Sequence, residues 1–261
     1  MNSLFTSLLA VALMTFSGII YSCETLSMNG ADGWYPYFSR QNTYQNGIVG
    51  DVVNEAAHRA GLIVELQPST PWKRVIYNLV NGDLDIIAGA LKNQQREKQL
   101  NFSSMIHYAE LRVFVRKDQS LKYKLLSDLK NKKGAKLRGM SLGQSVDEYA
   151  FNNLILTDIS TSTSLFKMIA SGRLDYGIFY WISGLKEIDN NNLAEQLEAL
   201  PILVSKEGLY IAYSKKSRCQ KQIDLLDSEV EKMKTDGAIN AIISNYQPRI
   251  GSQKKGEANE L

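Results

Sequence analysis

Few side chains in this sequence combine a charge with a setting that could put it to use. Arg96 closes the polar loop Asn93-Gln94-Gln95-Arg96 behind an apolar strand pattern. A guanidinium presents a planar fork of donors that fits the two oxygens of a carboxylate in short, charge-assisted bonds. The plainer reading is a surface arginine paired with Glu97. Tyr180 and Trp181 end a second apolar run, where they could stack on a ring, cover a cation or simply fill the core. The segment Arg138-Gly139-Met140-Ser141-Leu142-Gly143-Gln144-Ser145 precedes a helical pattern. Small residues at a helix N-terminus let backbone N–H groups approach an anion, although an ordinary strand-to-helix turn has the same composition. Tyr37 and Trp72 suit the apolar walls of a small-molecule pocket, or a core. Asp85 and Asp175 each stand just behind a glycine at the start of a strand, where a carboxylate caps a turn. Both are read as structural.

Other chemistries lack their residues. His58 and His107 are far apart and form no His-x-x-x-His or Cys/His cluster, so no metal is expected. There is no P-loop and no dinucleotide fingerprint, and no catalytic residue and no cofactor is assigned. The formal net charge of +3 is mild and the basic residues are mixed with acids, which excludes nucleic acid as a partner. Hydrophobic residues at 44% and charged residues at 22% place the chain among globular proteins.

The elements that must position these residues alternate between two periods. Glu24 to Met28 reads as a strand. Ile48, Val52, Ala56, Ala57 and Ala60 fall at helical spacing and stop at Gly61, and Ile63 to Leu66 is a second strand. Trp72 to Val80 is a helix between Pro71 and Gly82, followed by a strand over Leu84 to Ala88. After Arg116 the alternation restarts, with a segment leading to Lys136–Gly139, helices over 146–152 and 164–170, and a strand from Leu174 to Trp181. Leu209 to Tyr213 is a last strand, and Ile223, Leu226, Val230 and Met233 mark a closing helix, with Ala238-Ile239 and Ile242-Ile243 beyond it. Strands alternating with helices imply parallel sheets of βαβ units. Residues 247–261 read as a loose tail.

Residues 1–22 carry no charged side chain, and their apolar part is shorter than the ~20 residues of a spanning helix. They are expected to be a cleaved secretory signal, which places the mature chain in the periplasm. Cys23 and Cys219 then suggest one disulfide closing a long loop, against lipid attachment at Cys23 or two free thiols.

Gly82-Asp83-Leu84-Asp85-Ile86-Ile87-Ala88-Gly89 is followed by Arg96-Glu97 and by Asn101-Phe102-Ser103. Tyr35-Pro36-Tyr37-Phe38 precedes them, and Asp128-Leu129, Gly172-Arg173-Leu174-Asp175 and Asp236-Gly237 follow. In this order, from about Glu24 to Tyr246, they resemble the family 3 extracellular solute-binding proteins, typified by periplasmic receptors for polar amino acids. The resemblance implies an α/β protein of two Rossmann-like lobes joined by two crossover strands, the type II periplasmic binding protein architecture. Residues 23–115 with 207–246 would form the first lobe and 116–206 the second, closing by hinge motion around a ligand.

The same resemblance implies a ligand set of Tyr37, Trp72, Ala90, Asn93, Arg96, Ser141 and Tyr180, with Arg96 on the ligand carboxylate. Two positions depart from the family pattern. Asn93 stands where the family has Thr, and Tyr180 stands where amino-acid receptors hold the α-ammonium with Asp. A phenol brings no formal charge, and a buried ammonium without one is costly. The expectation is therefore a monomeric receptor for a small anionic or zwitterionic solute, amino-acid-like or an organic acid, delivered to an ABC-type transporter permease. A receptor serving a membrane sensor is the first alternative. A dehydratase-like enzyme on the same fold is the second, with Glu110 and Lys73 as its nearest acid or base.

Overall fold

Apolar residues at helical spacing fold helix α1 (Ile48–Ala60) onto the sheet through Ile48, Val49, Val52, Val53, Ala56 and Ala57. Gly61 ends it in the left-handed region (φ 64°), with its N–H on the His58 carbonyl at 3.2 Å and the Leu62 N–H on that of Ala57 at 2.8 Å. The computed structural model describes residues 23–41, 44–118 and 121–246. The expected signal segment and tail lie outside the described residues.

Around α1 the first half of the chain forms β1 (Thr25–Asn29), the small hairpin β2 (Ser39–Gln41) and β3 (Tyr44–Asn46), β4 (Ile63–Leu66), α2 (Trp72–Asn81), β5 (Ile86–Leu91), α3 (Gln94–Gln99) and β6 (Leu100–Phe102). The strand β7 (His107–Arg116) leads into β8 (Lys133–Leu137), α4 (Gln144–Asn153), β9 (Ile155–Ile159), α5 (Ser162–Ala170), β10 (Tyr176–Tyr180) and α6 (Trp181–Asn190). The chain returns through β11 (Leu197–Ser214) to α7 (Gln220–Thr235) and α8 (Ala238–Tyr246).

One curled sheet runs in the order β4-β1-β5-β11-β7-β10-β8-β9, with β6 also on β11. β4, β1 and β5 are mutually parallel, as are β10, β8 and β9. Between these lobes lie the two antiparallel crossovers, β7 and β11, paired from Leu197 opposite Arg116 to Leu209 opposite His107. At about 3.3 Å per residue, the 18 residues of β11 reach roughly 60 Å, enough to serve both lobes. Its last residues pair with β5 and β6. The strand expected over Leu209–Tyr213 is thus only the end of a longer one.

Other elements also differ from the sequence expectation: it included neither the β2–β3 hairpin nor α6, and the polar loop it read at Asn93–Arg96 is the start of helix α3. β9 is an unanticipated edge strand. Trp181, expected to end a strand, instead opens α6. The run from Tyr176 to Ile182 is apolar throughout, and an unbroken apolar run carries neither period.

The core of the second lobe stacks Phe114, Phe166 and Phe179 edge to face at 5.1 and 5.6 Å. Cys23, at the entry to β1, is disulfide-bonded to Cys219, the N-cap of α7, with a Cα–Cα distance of 5.4 Å, so neither thiol is free.

The repeated Gly-x-Leu-Asp motif has one structural task in both lobes. Asp85 accepts the backbone N–H of Ser27 at 2.8 Å, tying β5 to β1. Asp175 accepts the backbone N–H of Lys133 at 2.7 Å, tying β10 to β8. Each carboxylate satisfies a donor at the start of the neighbouring parallel strand.

Candidate functional site

All six parallel strands point their C-terminal ends at one cleft, as open α/β sheets do at their ligand sites. The cleft holds a cavity of about 660 Å³, a size suited to a small molecule. Its lining comes from the segments that follow these strand ends: 31–34 after β1, 69–73 after β4, Leu91 and Arg96 around β5, 137–140 after β8, 160–163 after β9, and Phe179, Tyr180 and Glu187 at β10 and α6.

Arg96 is the central charge. Asn93 caps α3, its side-chain oxygen accepting the Arg96 backbone N–H at 2.9 Å, the bond that Thr would make at this place. The guanidinium is buried. Its Nη1 donates to the Leu91 carbonyl at 2.7 Å and its Nη2 crosses the cleft to the Gly139 carbonyl at 3.1 Å, with the Trp72 ring 5.9 Å away. Burial pulls its pKa down, partly offset by Tyr180 and Asp147. A buried cation held only by carbonyls still carries an uncompensated charge.

Aromatic rings form the floor. Trp34 lies 4.8 Å from Tyr180 and 5.2 Å from Tyr37. It fits because Gly89, at φ 104°, leaves room: a Cβ there would sit 2.8 Å from the indole Cζ3. Burial raises the Tyr180 phenol pKa, so the ring is neutral at any ordinary pH. Two buried polar atoms in cavity-lining residues have no partner among the described residues, Trp34 Nε1 and Thr70 Oγ1, both available to a bound solute.

Of the residues expected from sequence, Arg96, Trp72 and Tyr180 line this cavity. Trp72 also donates its indole N–H across the cleft to the Gly139 carbonyl at 3.2 Å. Asn93 and Ser141 line an adjoining groove and face each other across it at 3.5 Å, while Ser141 donates to Asp147 at 2.5 Å. Tyr37 lies behind the floor, against Tyr180 at 6.4 Å, with its hydroxyl on the Tyr108 carbonyl. Ala90 is packed with Val75, Leu79 and Ala212 on the α2 side of the sheet. Lys73 lines the cavity, whereas Glu110 lies near Arg112 and Lys206 at 3.7 and 3.9 Å, away from it. Among the described residues no group of His, Cys, Asp and Glu could hold a metal.

Sequence reasoning missed Trp34, Thr70, the stretch Thr161-Ser162-Thr163, and Glu187, while Arg138 and Met140 belong to the loop it singled out. The rule that ligands sit beyond the carboxyl ends of strands would have found the segments after β1, β4 and β9. It would not have found Glu187, which stands midway along α6.

Among the described residues no helix is long and apolar enough to cross a membrane. No curated protein matches the chain in sequence. Its fold is shared with a histidine kinase sensor domain similar to periplasmic binding proteins (TM-score 0.73, 20% identity, covering 85% of this chain and 96% of that one). It is shared equally with an ancestral arginine-binding protein bound to glutamine (TM-score 0.73, 23% identity, 87% and 99%). A third is the substrate-binding protein of an amino acid ABC transporter from Streptococcus pneumoniae, bound to L-arginine (TM-score 0.70, 20% identity, 85% and 94%). Residues 27–249, from within β1 to beyond α8, match the model of the bacterial extracellular solute-binding proteins, family 3, and the chain belongs to that family.

Proposed function

We propose that this protein is a periplasmic receptor that closes around a small carboxylate-bearing solute, anionic or zwitterionic, and delivers it to an ABC-type transporter. The observation that carries this reading is Arg96, a buried guanidinium at the seam between the lobes whose hydrogen-bond partners among the described residues are carbonyls. A ligand carboxylate would supply the missing charge, and it would favour closure because it meets both lobes only there. Solved proteins of the same fold that bind arginine or glutamine support a solute of this class. In this reading residues 23–115 with 207–246 form one lobe and 116–206 the other, β7 and β11 carry the hinge, and residues 1–22 direct export.

A thermal-shift screen of amino acids, organic acids, amines and sugars tests it. A ligand at about 100 times its Kd adds roughly 2.7 kcal/mol of stability. Arg96→Ala should then weaken a carboxylate ligand by about 2–4 kcal/mol. Unchanged affinity would place the carboxylate elsewhere. The likeness to a sensor domain supports a second reading, in which closure reports the solute to a membrane sensor. Loss of solute uptake in cells lacking the protein supports delivery, and normal uptake overturns it. Bound ligand recovered unchanged is the expected outcome, while its turnover would favour the dehydratase-like alternative, with Lys73 as the candidate group.

A further inference from the structure

Two carboxylates line the cavity, and they stand in different electrical states. Asp32 is paired with Arg40 at 3.0 Å and also accepts the Ser69 hydroxyl. Glu187 has no ion pair among the described residues. Its oxygens accept only neutral donors: the Thr163 hydroxyl at 2.6 Å, the Asn191 amide at 3.0 Å and the Ser162 hydroxyl at 3.1 Å. These donors come from the start of α5 and the end of α6, so the carboxylate is fixed from two sides. Its charge is left for whatever fills the cavity.

Within that reading of the site, we propose that Glu187 holds the cationic end of the solute, and that the ligand is a carboxylate carrying a positively charged nitrogen several bonds away. Three observations converge. Tyr180, at the end of β10, is a buried neutral phenol and cannot balance a cation. Arg96 already fixes where the carboxylate belongs. Glu187 lies seven residues beyond Tyr180 on the helix that β10 feeds, about 10 Å further along at 1.5 Å per residue. Arg96, after β5, and Glu187, on α6, line the same cavity of about 660 Å³, so a solute that meets both carries its two charges apart. The hydroxyls of Ser162 and Thr163 orient the carboxylate as second partners, leaving lone pairs for an ammonium or guanidinium.

A carboxylate at the N-terminus of α5 could also serve that helix alone. The experiment must separate the two roles. Two probe pairs keep the carboxylate and change one cationic nitrogen: L-arginine against L-citrulline, and 5-aminovalerate against valerate. Isothermal titration is run on the wild type, Glu187→Gln and Glu187→Asp. Glutamine keeps an acceptor for the hydroxyls but removes the charge.

The expected result is that the wild type prefers the cationic member of a pair, and that Glu187→Gln weakens that member at least tenfold. The member lacking that cationic nitrogen should bind Glu187→Gln at least as well as wild type, which also shows that the variant is folded. Glu187→Asp should restore part of the preference. A cationic probe that binds wild type and Glu187→Gln equally overturns the role of Glu187, and so does a wild type without preference within either pair. Both leave the carboxylate receptor standing. No binding by any of the four probes overturns the receptor for carboxylate solutes together with this inference.

Discussion

Asp85 and Asp175 occupy the same place in the same motif, one in each lobe, yet they do unequal work. Asp85 is 8% exposed and collects the N–H and hydroxyl of Ser27 and the hydroxyl of Ser217. Asp175 is partly exposed and takes the N–H of Lys133. Beyond them the lobes part further. β5 leads to Leu91 and Arg96, while β10 runs straight into Tyr180 and the helix bearing Glu187. The repeated device sets strand register, and the segments past the strand ends set the chemistry. A lobe can therefore keep its frame and change what it binds.

The largest expected effect tests the frame. Asp85→Ala leaves three donors of a buried site without an acceptor and should cost about 3 kcal/mol in urea unfolding. Asp175→Ala should cost about 1 kcal/mol, because water reaches the donor it abandons. Equal losses would break the contrast between the lobes. A larger loss at Asp175 would reverse it.

A second substitution sharpens the contrast where frame meets site. Counting four residues on from each aspartate gives Gly89 in the first lobe and Phe179 in the second. Gly89 is a vacancy that Trp34 fills, whereas Phe179 itself lines the cavity. Gly89→Ala combines a left-handed backbone with a contact of 2.8 Å to the indole, and should destabilise by about 1–3 kcal/mol. It should also weaken the ligand that Trp34 floors. Phe179→Leu, which keeps an apolar side chain at its place, should cost less than about 1.5 kcal/mol. Calorimetric melting of both variants checks the order, and a tolerant Gly89 would mean that Trp34 has another way to seat itself.

What the sequence reveals follows the same division. α1, α2 and α7 are legible because each buries one apolar stripe and ends at a glycine or a charged turn. The frame is legible because its motif occurs twice. The join of β10 to α6 is hidden inside an apolar run, and β9 is a short edge strand whose side chains are mostly exposed. The pairing of β7 with β11 joins residues 81 to 102 positions apart, from Arg116 with Leu197 to His107 with Leu209, and no local pattern encodes it. In the site, Arg96 is readable from its own loop. Glu187 is not, because the hydroxyls that hold it lie 24 and 25 residues away, on a different helix.

The smallest expected effect lies on the crossover that divides the lobes. His107 opens β7, half-buried beside Tyr37 at 6.3 Å, with Lys206 and Glu110 as its charged neighbours. Burial, aided by Lys206, pulls its pKa below the usual 6.5, and Glu110 opposes this in part. The unfolded chain therefore takes up the proton first as the solution is acidified. Stability from neutral His107 is fully present above pH 6.5 and is lost as pH falls from there through the lowered folded value. Burial raises the carboxyls of Asp51, Asp227 and Glu207, which have the opposite sign. Their windows run upward from ordinary values of 3.8, 3.8 and 4.5 to the raised folded ones, so they offset part of the His107 effect at the acid end. Between about pH 7.5 and about pH 5.5 the melting temperature should fall slightly in the wild type. That fall should shrink in His107→Gln. An undiminished fall would assign the pH dependence to another group, and would leave the crossover out of the coupling between the lobes and the proton.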